Sequence, residues 1–341
     1  MGYRYIGSKA RIASEILDII GNPMPEEGNF IDAFSGTGIV ARMAADRGWR
    51  VHINDILHCA IILSESRLIS SEEIPFNKLN GYSKAIELLN KEEKKGFFYK
   101  EYSPASQANI GIQRKYFSIE NACKIDGIRA KISDWENNGL ITPKEHSILI
   151  ATLLCAVNEI ANIAGTYGCF LSKWTETSSK PLILKPLEVS DSHVYYSSST
   201  IDVFDIQCEP EDVLYLDPPY TKRQYASYYH ILETIAIGDE PSVQGVAGLR
   251  PWKDKSSVFC YKTKALQALS RLIINSRAKK VFLSYSDEGH VILEELIDSL
   301  RAHGTVKIHK IGTIGRYRPN QVASSRRAKV KEFLIEFCRN V

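Results

Sequence analysis

The sequence predicts a doubly wound α/β fold with an inserted helical subdomain, and three observations carry that prediction. A short apolar run, Asn29-Phe-Ile-Asp-Ala-Phe34, ends on Ser35-Gly-Thr-Gly38. Helical composition follows from Ile39 to Arg47, and Trp49 to Ile53 reads as a second strand ending at Asn54-Asp55. Strand, glycine turn, helix and strand in that order open a parallel sheet covered by helices on both faces. Next, Val213-Leu-Tyr-Leu216 is apolar on both faces, as a central parallel strand requires. Finally, beyond Ser70 the chain turns polar, lysine-rich and helical in pattern, which marks an insertion into the α/β frame.

The remaining elements follow in order. From Ala10 to Ile20 the positions of Ile12, Ile16, Leu17, Ile19 and Ile20 suit an amphipathic helix. Residues 77–144 read as mostly helical with a loop near Ser103-Pro104, and a buried helix from Ser147 to Ala164 leads back to the α/β core. Further strands are expected at Val281 to Tyr285, Val306 to Ile311 and Phe333 to Phe337, with a helix from about Val291 to Arg301 among them. The expected division is therefore 1–70 with 147–341 as one domain and 71–146 as the helical insert.

Composition narrows the class. With 341 residues, 44% of them hydrophobic and 24% charged, the chain is long enough for one large domain or two ordinary ones. Collagen-like, disulfide-framework and largely disordered proteins are excluded. No apolar segment follows Met1-Gly-Tyr-Arg4, and the apolar stretch Ile148 to Val157 is too short to cross a bilayer. The seven cysteines form no Cys-x-x-Cys pair, so neither a disulfide set nor a zinc site is expected, and a reduced cytoplasmic compartment is. The net charge of +3 hides an asymmetry: Arg301 to Val341 holds ten Lys or Arg against two Glu. Such a stretch suits an anionic partner, either nucleic acid or a membrane surface, and equally a solvated basic face.

Two motifs bear chemistry. In Asp32-Ala-Phe-Ser-Gly-Thr-Gly38 two glycines after a strand permit a tight turn and close approach of a ligand. Asp55 lies 19 residues beyond Gly36, where an acid would meet ribose hydroxyls. The pattern lacks the third glycine of a dinucleotide fingerprint, and by itself it is equally a structural turn. Asp217-Pro-Pro-Tyr220 follows the apolar strand directly, at the end where open α/β sheets bind ligands. Two prolines fix the backbone and remove two N–H donors. The Asp217 carboxylate and the Pro218 carbonyl can then accept the protons of an amino group while Tyr220 stacks on its ring. The plain alternative is a proline turn capping the strand.

Together, Tyr5-Ile-Gly-Ser-Lys9, the glycine motif, Asn54-Asp55 and Asp217-Pro-Pro-Tyr220 resemble the Dam-related, alpha-class adenine-specific DNA methyltransferases. Tyr116 to Asp126, Asn162 to Gly168, Arg223 to His230, Gly248-Leu-Arg250 and Phe282 to Ser286 share the likeness, which thus spans nearly the whole chain. The resemblance implies a Rossmann-like methyltransferase fold with a target-recognition insert. It also implies S-adenosylmethionine as cofactor, no metal, and base flipping in duplex DNA. Tyr5, Gly7 and Lys9 would lie near the methionine end of the cofactor and the target base. Asp32, Phe34, Ser35, Gly36, Thr37 and Gly38 would hold its body, Asp55 its ribose, and Asp217 would border the methyl. For the acid that meets the cofactor adenine, Asp202 is the choice and Asp205 the alternative; either reads equally as a surface acid in a serine-rich loop. Asp217, Pro218, Pro219 and Tyr220 form the catalytic set.

Phosphate contacts are expected from Lys222 and Arg223 beside that set, from Arg250, Lys253 and Lys255, and from Arg316 and Arg318. Arg326, Arg327, Lys329 and Lys331 extend the same basic stretch. His230 reads as a structural histidine. The expected activity is methylation of adenine N6 in a specific duplex sequence, by a monomer, with a cognate restriction endonuclease as the expected partner. Cytosine N4 methylation, RNA adenine methylation and a non-catalytic DNA-binding module on the same fold are the alternatives. An opening Asp, rather than Ser or Asn, favours DNA adenine by family analogy.

Overall fold

Chain order runs α1 (Ala13–Ile20), β1 (Phe30–Asp32), α2 (Ile39–Asp46), β2 (Val51–Asn54) and α3 (His58–Leu68) in the computed structural model, which describes residues 7, 9–315 and 329–340. Helices α4 (Tyr82–Leu89), α5 (Phe97–Tyr102), α6 (Gln107–Ile110), α7 (Ile119–Asn137) and α8 (Pro143–Ile160) come next. Then follow β3 (Tyr196–Ser199), β4 (Val213–Leu216), α9 (Tyr225–Tyr228), α10 (His230–Ile237) and α11 (Lys262–Asn275). The chain closes with β5 (Lys280–Ser286), α12 (Leu293–Arg301), β6 (Gly304–Gly315) and β7 (Lys329–Arg339).

The strands form one seven-stranded sheet in the order β3-β2-β1-β4-β5-β7-β6. The first five are parallel, whereas β7 runs antiparallel to both β5 and β6. The order reverses at β1, and β4 lies beside it, so the crevice of a doubly wound sheet opens beyond these two strand ends. Alternation decides which helices cover which face. Ile31, Leu214, Leu216, Val281 and Leu283 pack with Leu269 and Leu272 of α11 and Leu296 of α12. Phe30, Val51, Ile53, Val213 and Tyr215 pack with Ile16 and Leu17 of α1 and Ala41 and Ala44 of α2. Strand β4 is buried at all four positions, as its apolar sequence predicts.

The chain separates into two compact units. One holds the sheet with α1–α3, α11 and α12; the other is helical and comprises Ile69–His193 with Ala226–Asp254. The helical unit is wider than the composition shift at 71–146 suggested. Helix α8, expected to return to the α/β core, belongs to the helical unit. It starts at a capping box: the Thr142 hydroxyl accepts the Glu145 N–H at 3.2 Å, and the Glu145 carboxylate accepts the Thr142 N–H at 2.8 Å. Pro143 at the first helical position completes that start signal.

Within the helical unit, buried Arg114 binds the carbonyls of Gly245 and Val246 at 2.9 and 3.1 Å. The Tyr102 and Tyr116 hydroxyls donate to the carbonyls of Gly248 and Ala247, each at 3.0 Å. These bonds set the path of the loop that leads to Arg250 and Trp252. No helix is long and apolar enough to cross a membrane among the described residues.

Candidate active site

The parallel register brings the motif residues to one edge of the sheet. Asp32, the last residue of β1, stands level with Tyr215 of β4 and Ile53 of β2. Asp217 and Asp55 each lie two residues further along, past the ends of their strands. Lys9 enters just before α1, with its carbonyl accepting the Ile12 and Ala13 N–H groups at 2.9 and 2.8 Å.

The glycine turn is built by close packing. Gly36 and Gly38 have φ of +52° and +71°, and Gly38 caps α2 from the left-handed region. A Cβ on Gly38 would lie 2.5 Å from the Ser64 Cα on α3, so no side chain fits. The Ser64 hydroxyl donates to Ser35 Oγ at 3.0 Å. Asp55 holds the same turn: one carboxylate oxygen accepts the Gly36 N–H at 3.1 Å and the other the Leu57 N–H at 3.0 Å. Asn54 locks the neighbouring ends by donating to the carbonyls of Ala33 and Ile201 and accepting from the Ser199 hydroxyl at 2.7 Å. Phe34 meets Phe259 edge-on at 5.7 Å, and Phe259 stacks on Phe204 at 5.8 Å, a row of rings beside the turn. The Thr37 carbonyl accepts from the Arg67 guanidinium at 2.6 Å.

At the end of β4 a buried ion cluster forms. The Lys9 ammonium lies 3.2 Å from Asp217 Oδ1 and 3.2 Å from Glu332 Oε2. Lys9 and Glu332 are 5% and 4% exposed and Asp217 16%, so these charges compensate one another in place of water. Tyr220 lies over the same cluster. Its ring centroid is 5.5 Å from the Lys9 ammonium and 5.5 Å from the Tyr285 ring, which meets it edge-on. Its hydroxyl donates to Glu332 Oε1 at 3.5 Å. Its carbonyl accepts the His290 N–H at 2.9 Å, which fixes the turn behind the ring. Pro218 is buried and Pro219 half-buried beneath it.

Burial dominates the electrostatics. It pushes the Asp217 carboxyl up to about 6, with Glu332 adding to the rise and Lys9 opposing it. Burial would lower the Lys9 ammonium, but Asp217, Tyr220 and Glu332 together hold it well above its ordinary value. The Tyr220 phenol is pushed up to about 12, again chiefly by burial. Asp32 is the most perturbed acid of this edge. Burial, then the charges of Asp217 and Asp55, raise it to about 8 against the pull of the Phe34 and Ala41 amides. One of its carboxylate oxygens, Oδ1, is buried without a hydrogen-bond partner among the described residues.

These features fit S-adenosylmethionine. An orphaned buried carboxylate oxygen and two further acids on the same edge suit a ligand carrying sulfonium and ammonium charges. The glycine turn, which no Cβ can enter at Gly38, suits close approach of its body. Among the described residues no group of three or more His, Cys, Asp or Glu is placed to hold a metal ion.

Other expected residues fall in different places. Gly7 has φ of +78°, and a Cβ there would lie 2.8 Å from the Tyr225 hydroxyl. Asp202 is exposed beyond the end of β3 and accepts the Phe204 N–H at 3.0 Å as the cap of a 3₁₀ turn that ends at exposed Asp205. Lys222 and Lys253 are exposed and Arg223 half-buried. Lys255 lies with its ammonium 3.2 Å from His58 Nδ1, and Lys331 is exposed. Arg250 requires a correction: its guanidinium is 12% exposed and bound to both Asp239 oxygens at 3.1 and 2.9 Å and to the Thr234 hydroxyl at 3.1 Å. Three of its five N–H donors are used inside the helical unit, which leaves this largely buried group a structural role rather than the exposed one expected of a phosphate contact. His230 is structural: its buried ring donates Nε2–H to the Tyr167 carbonyl at 2.9 Å, and burial drops its pKa to about 3. Tyr5, Arg316, Arg318, Arg326 and Arg327 lie outside the described residues.

The sequence reading missed Glu332. Glu332 stands just before the expected strand Phe333 to Phe337 and next to Lys331, so it reads as one more surface charge. Its partner Lys9 is 323 residues away, and no local spacing signals such a pair.

Comparison with known proteins gives the family. Residues 5–297 match the family model described as D12 class N6 adenine-specific DNA methyltransferase. The type II methyltransferase M.FokI of Planomicrobium okeanokoites is 35% identical over 316 residues, which is 90% of this chain and 48% of that protein. Modification methylase StsI of Streptococcus sanguinis is 32% identical over 98% of this chain and 52% of that protein. The type II methyltransferase M.NlaIII of Neisseria lactamica is 34% identical over 84% of each. The chain thus spans about half the length of the first two relatives and most of the third.

Proposed function

Because the chain belongs to the D12 class N6 adenine-specific DNA methyltransferases, we propose that it methylates the N6 amino group of adenine at a specific duplex DNA sequence, using S-adenosylmethionine. The observation that carries the reading is the Asp217–Tyr220 turn at the end of β4, with its carboxylate bridged to buried Lys9, which also lies over the Tyr220 ring. When bound, the cofactor supplies a methyl group activated by the positive sulfonium.

Each of the chain's residues then has defined work. The adenine amino group is a poor nucleophile because its lone pair is delocalised into the ring. Asp217 and the Pro218 carbonyl accept its two protons off the ring plane and favour the pyramidal nitrogen of the transition state. With a pKa of about 6, Asp217 is about nine-tenths ionised at pH 7. It can therefore take the proton that N6 sheds as the new N–C bond forms. Lys9 keeps the carboxylate oriented, and alignment of nitrogen and methyl within the turn supplies the rest. Tyr220 holds the extruded base by stacking, worth about 1–3 kcal/mol per base, against the few kcal/mol that flipping costs.

Asp32, Phe34, the Ser35–Gly38 turn and Asp55 would hold the cofactor with Gly7 and Lys9, and Asp202 would approach its adenine. Lys222, Arg223 and Lys253 would bind phosphates, and the helical unit would read the sequence. The reading also makes the chain a modification enzyme, the role that modification methylase StsI carries in its name.

The test is methyl transfer to DNA and to RNA followed by mass analysis of nucleosides. N6-methyldeoxyadenosine from DNA alone is expected; methylated deoxycytidine or any methylated ribonucleoside would reject the assignment. Asp217→Ala should cut transfer by about 10²–10⁴-fold while leaving most DNA affinity, which comes from phosphate contacts. Undiminished transfer in that variant would remove Asp217 from the chemistry.

A further inference from the structure

We propose that Glu332 on β7 is the positioning residue of this site. By one carboxylate it holds Lys9 against Asp217 and tethers the Tyr220 hydroxyl, and by its charge it tunes the acidity of Asp217. The proposal rests on the reading of Asp217 as the acceptor of the amino protons. Glu332 lies beyond residues 5–297, the span of the family model, and no motif pointed to it.

The geometry is that of a relay from rigid backbone to mobile turn. Strand β7 is paired on both sides, with Glu332 opposite Ser286 of β5 and Ile311 of β6, so ladder hydrogen bonds fix its Cα. Asp217 and Tyr220 sit on a turn with no such ladder. Lysine is a flexible stem with a point charge and three donors, so one carboxylate partner leaves its head free to swing. Two carboxylates at 3.2 Å on opposite branches define where the ammonium stands, and thereby where Asp217 stands. The second oxygen of Glu332 takes the Tyr220 hydroxyl, linking the stacking ring to the same anchor.

The charges around the pair are known. Lys9, Glu332, Asp32, Tyr215 and Tyr220 act on or respond to Asp217, whereas Glu332 itself responds to Lys9, Tyr220 and Asp287. Glu332 is the acid that shares a counterion with Asp217. Removing its charge while keeping its shape leaves Lys9 committed to Asp217 alone, and the carboxylate becomes easier to ionise.

The experiment follows the Asp217 carboxyl carbon by NMR in aspartate-labelled protein, with Asp217→Asn to assign the signal. Wild type is compared with Glu332→Gln and Glu332→Asp. In Glu332→Gln the titration should move to lower pH by about two units, given a unit charge roughly 6 Å away at an effective dielectric near 20. In Glu332→Asp it should stay where wild type has it. Single-turnover transfer to plasmid DNA from a methylation-deficient host should fall at least tenfold in both, with the acid limb displaced in Glu332→Gln only. Cofactor affinity by calorimetry should remain within twofold.

An unmoved Asp217 titration in folded Glu332→Gln overturns the proposal. If that variant fails to fold, Glu332→Asp decides: slowed transfer with a wild-type titration supports the relay, and unchanged transfer refutes it. The titration needs no methyl transfer. An inactive wild type would therefore reject the reading of the site while Glu332 is still judged on its own.

Discussion

Cofactor binding should expel a proton from Asp32. The group is 1% exposed, one of its oxygens has no hydrogen-bond partner among the described residues, and burial with the charges of Asp217 and Asp55 raises it to about 8. At pH 7 it is then about 90% protonated in the cofactor-free protein. A cation arriving about 5 Å away at an effective dielectric near 20 favours the ionised form by about 3 kcal/mol, or roughly two pH units. That carries Asp32 to about 6, where it is about nine-tenths ionised at pH 7. The sign is fixed: positive charge enters, the acid becomes stronger, and about 0.8 proton leaves per site. Calorimetry of S-adenosylmethionine binding in two buffers of different ionisation enthalpy measures that number directly. Asp32→Asn, neutral and nearly isosteric, should abolish the release. A wild-type release under about 0.2 proton, or an equal release from the variant, would refute both the perturbed acid and its place beside the cation.

The same acid has a cofactor-free consequence. Its folded pKa exceeds its unfolded value, so the stability it contributes is full below about pH 4 and is lost as pH rises toward 8. Asp32→Asn should accordingly raise the melting temperature of the cofactor-free protein at pH 8.5 more than at pH 5. Gly38→Ala places a methyl 2.5 Å from the Ser64 backbone at a φ of +71° and should cost about 3 kcal/mol in denaturant unfolding; a loss under 1 kcal/mol would contradict that packing. Lys222→Ala should lower the slope of log affinity against log salt by about one with no change in melting. Arg250→Ala should do the reverse, losing about 1–3 kcal/mol of stability with the slope intact; a changed slope would restore Arg250 to the DNA surface.

What was legible in the sequence was whatever depends on pattern within a few residues. Val213–Leu216 is apolar throughout and proves a central strand with those bounds, and the glycine turn stands where the β1–α2 junction needs positive φ. Strand β3, Tyr196–Ser199, escaped notice because it is a half-exposed edge. Its serines carry no hydrophobic period, and His52 holds two of them through Ser197 Oγ and Ser199 Oγ at 2.8 and 2.9 Å. Helix α11 escaped for a related reason: Ala265 and Ala268 supply part of its buried stripe, and a basic first turn disguises the start. Arg250 misled because an arginine near a presumed binding loop looks the same whether its fork meets a phosphate or Asp239. Burial decides between the two, and burial is a tertiary fact.

The site itself divides along that line. Each strand end contributes its acid by local sequence, but their interaction exists only because parallel strands deliver their carboxyl ends to one edge. Asp32 thereby feels the charges of Asp217 and Asp55, while Lys9 faces Asp217, and Glu332 adds a second acid to the same lysine. Such an excess of negative charge works against the cofactor-free fold, since each buried acid raises the next. It is the arrangement expected of a site whose missing counter-charge is carried by its ligand. The strain in protonation that Asp32 shows is thus the complement of a cation, stored in the sheet before the cation arrives.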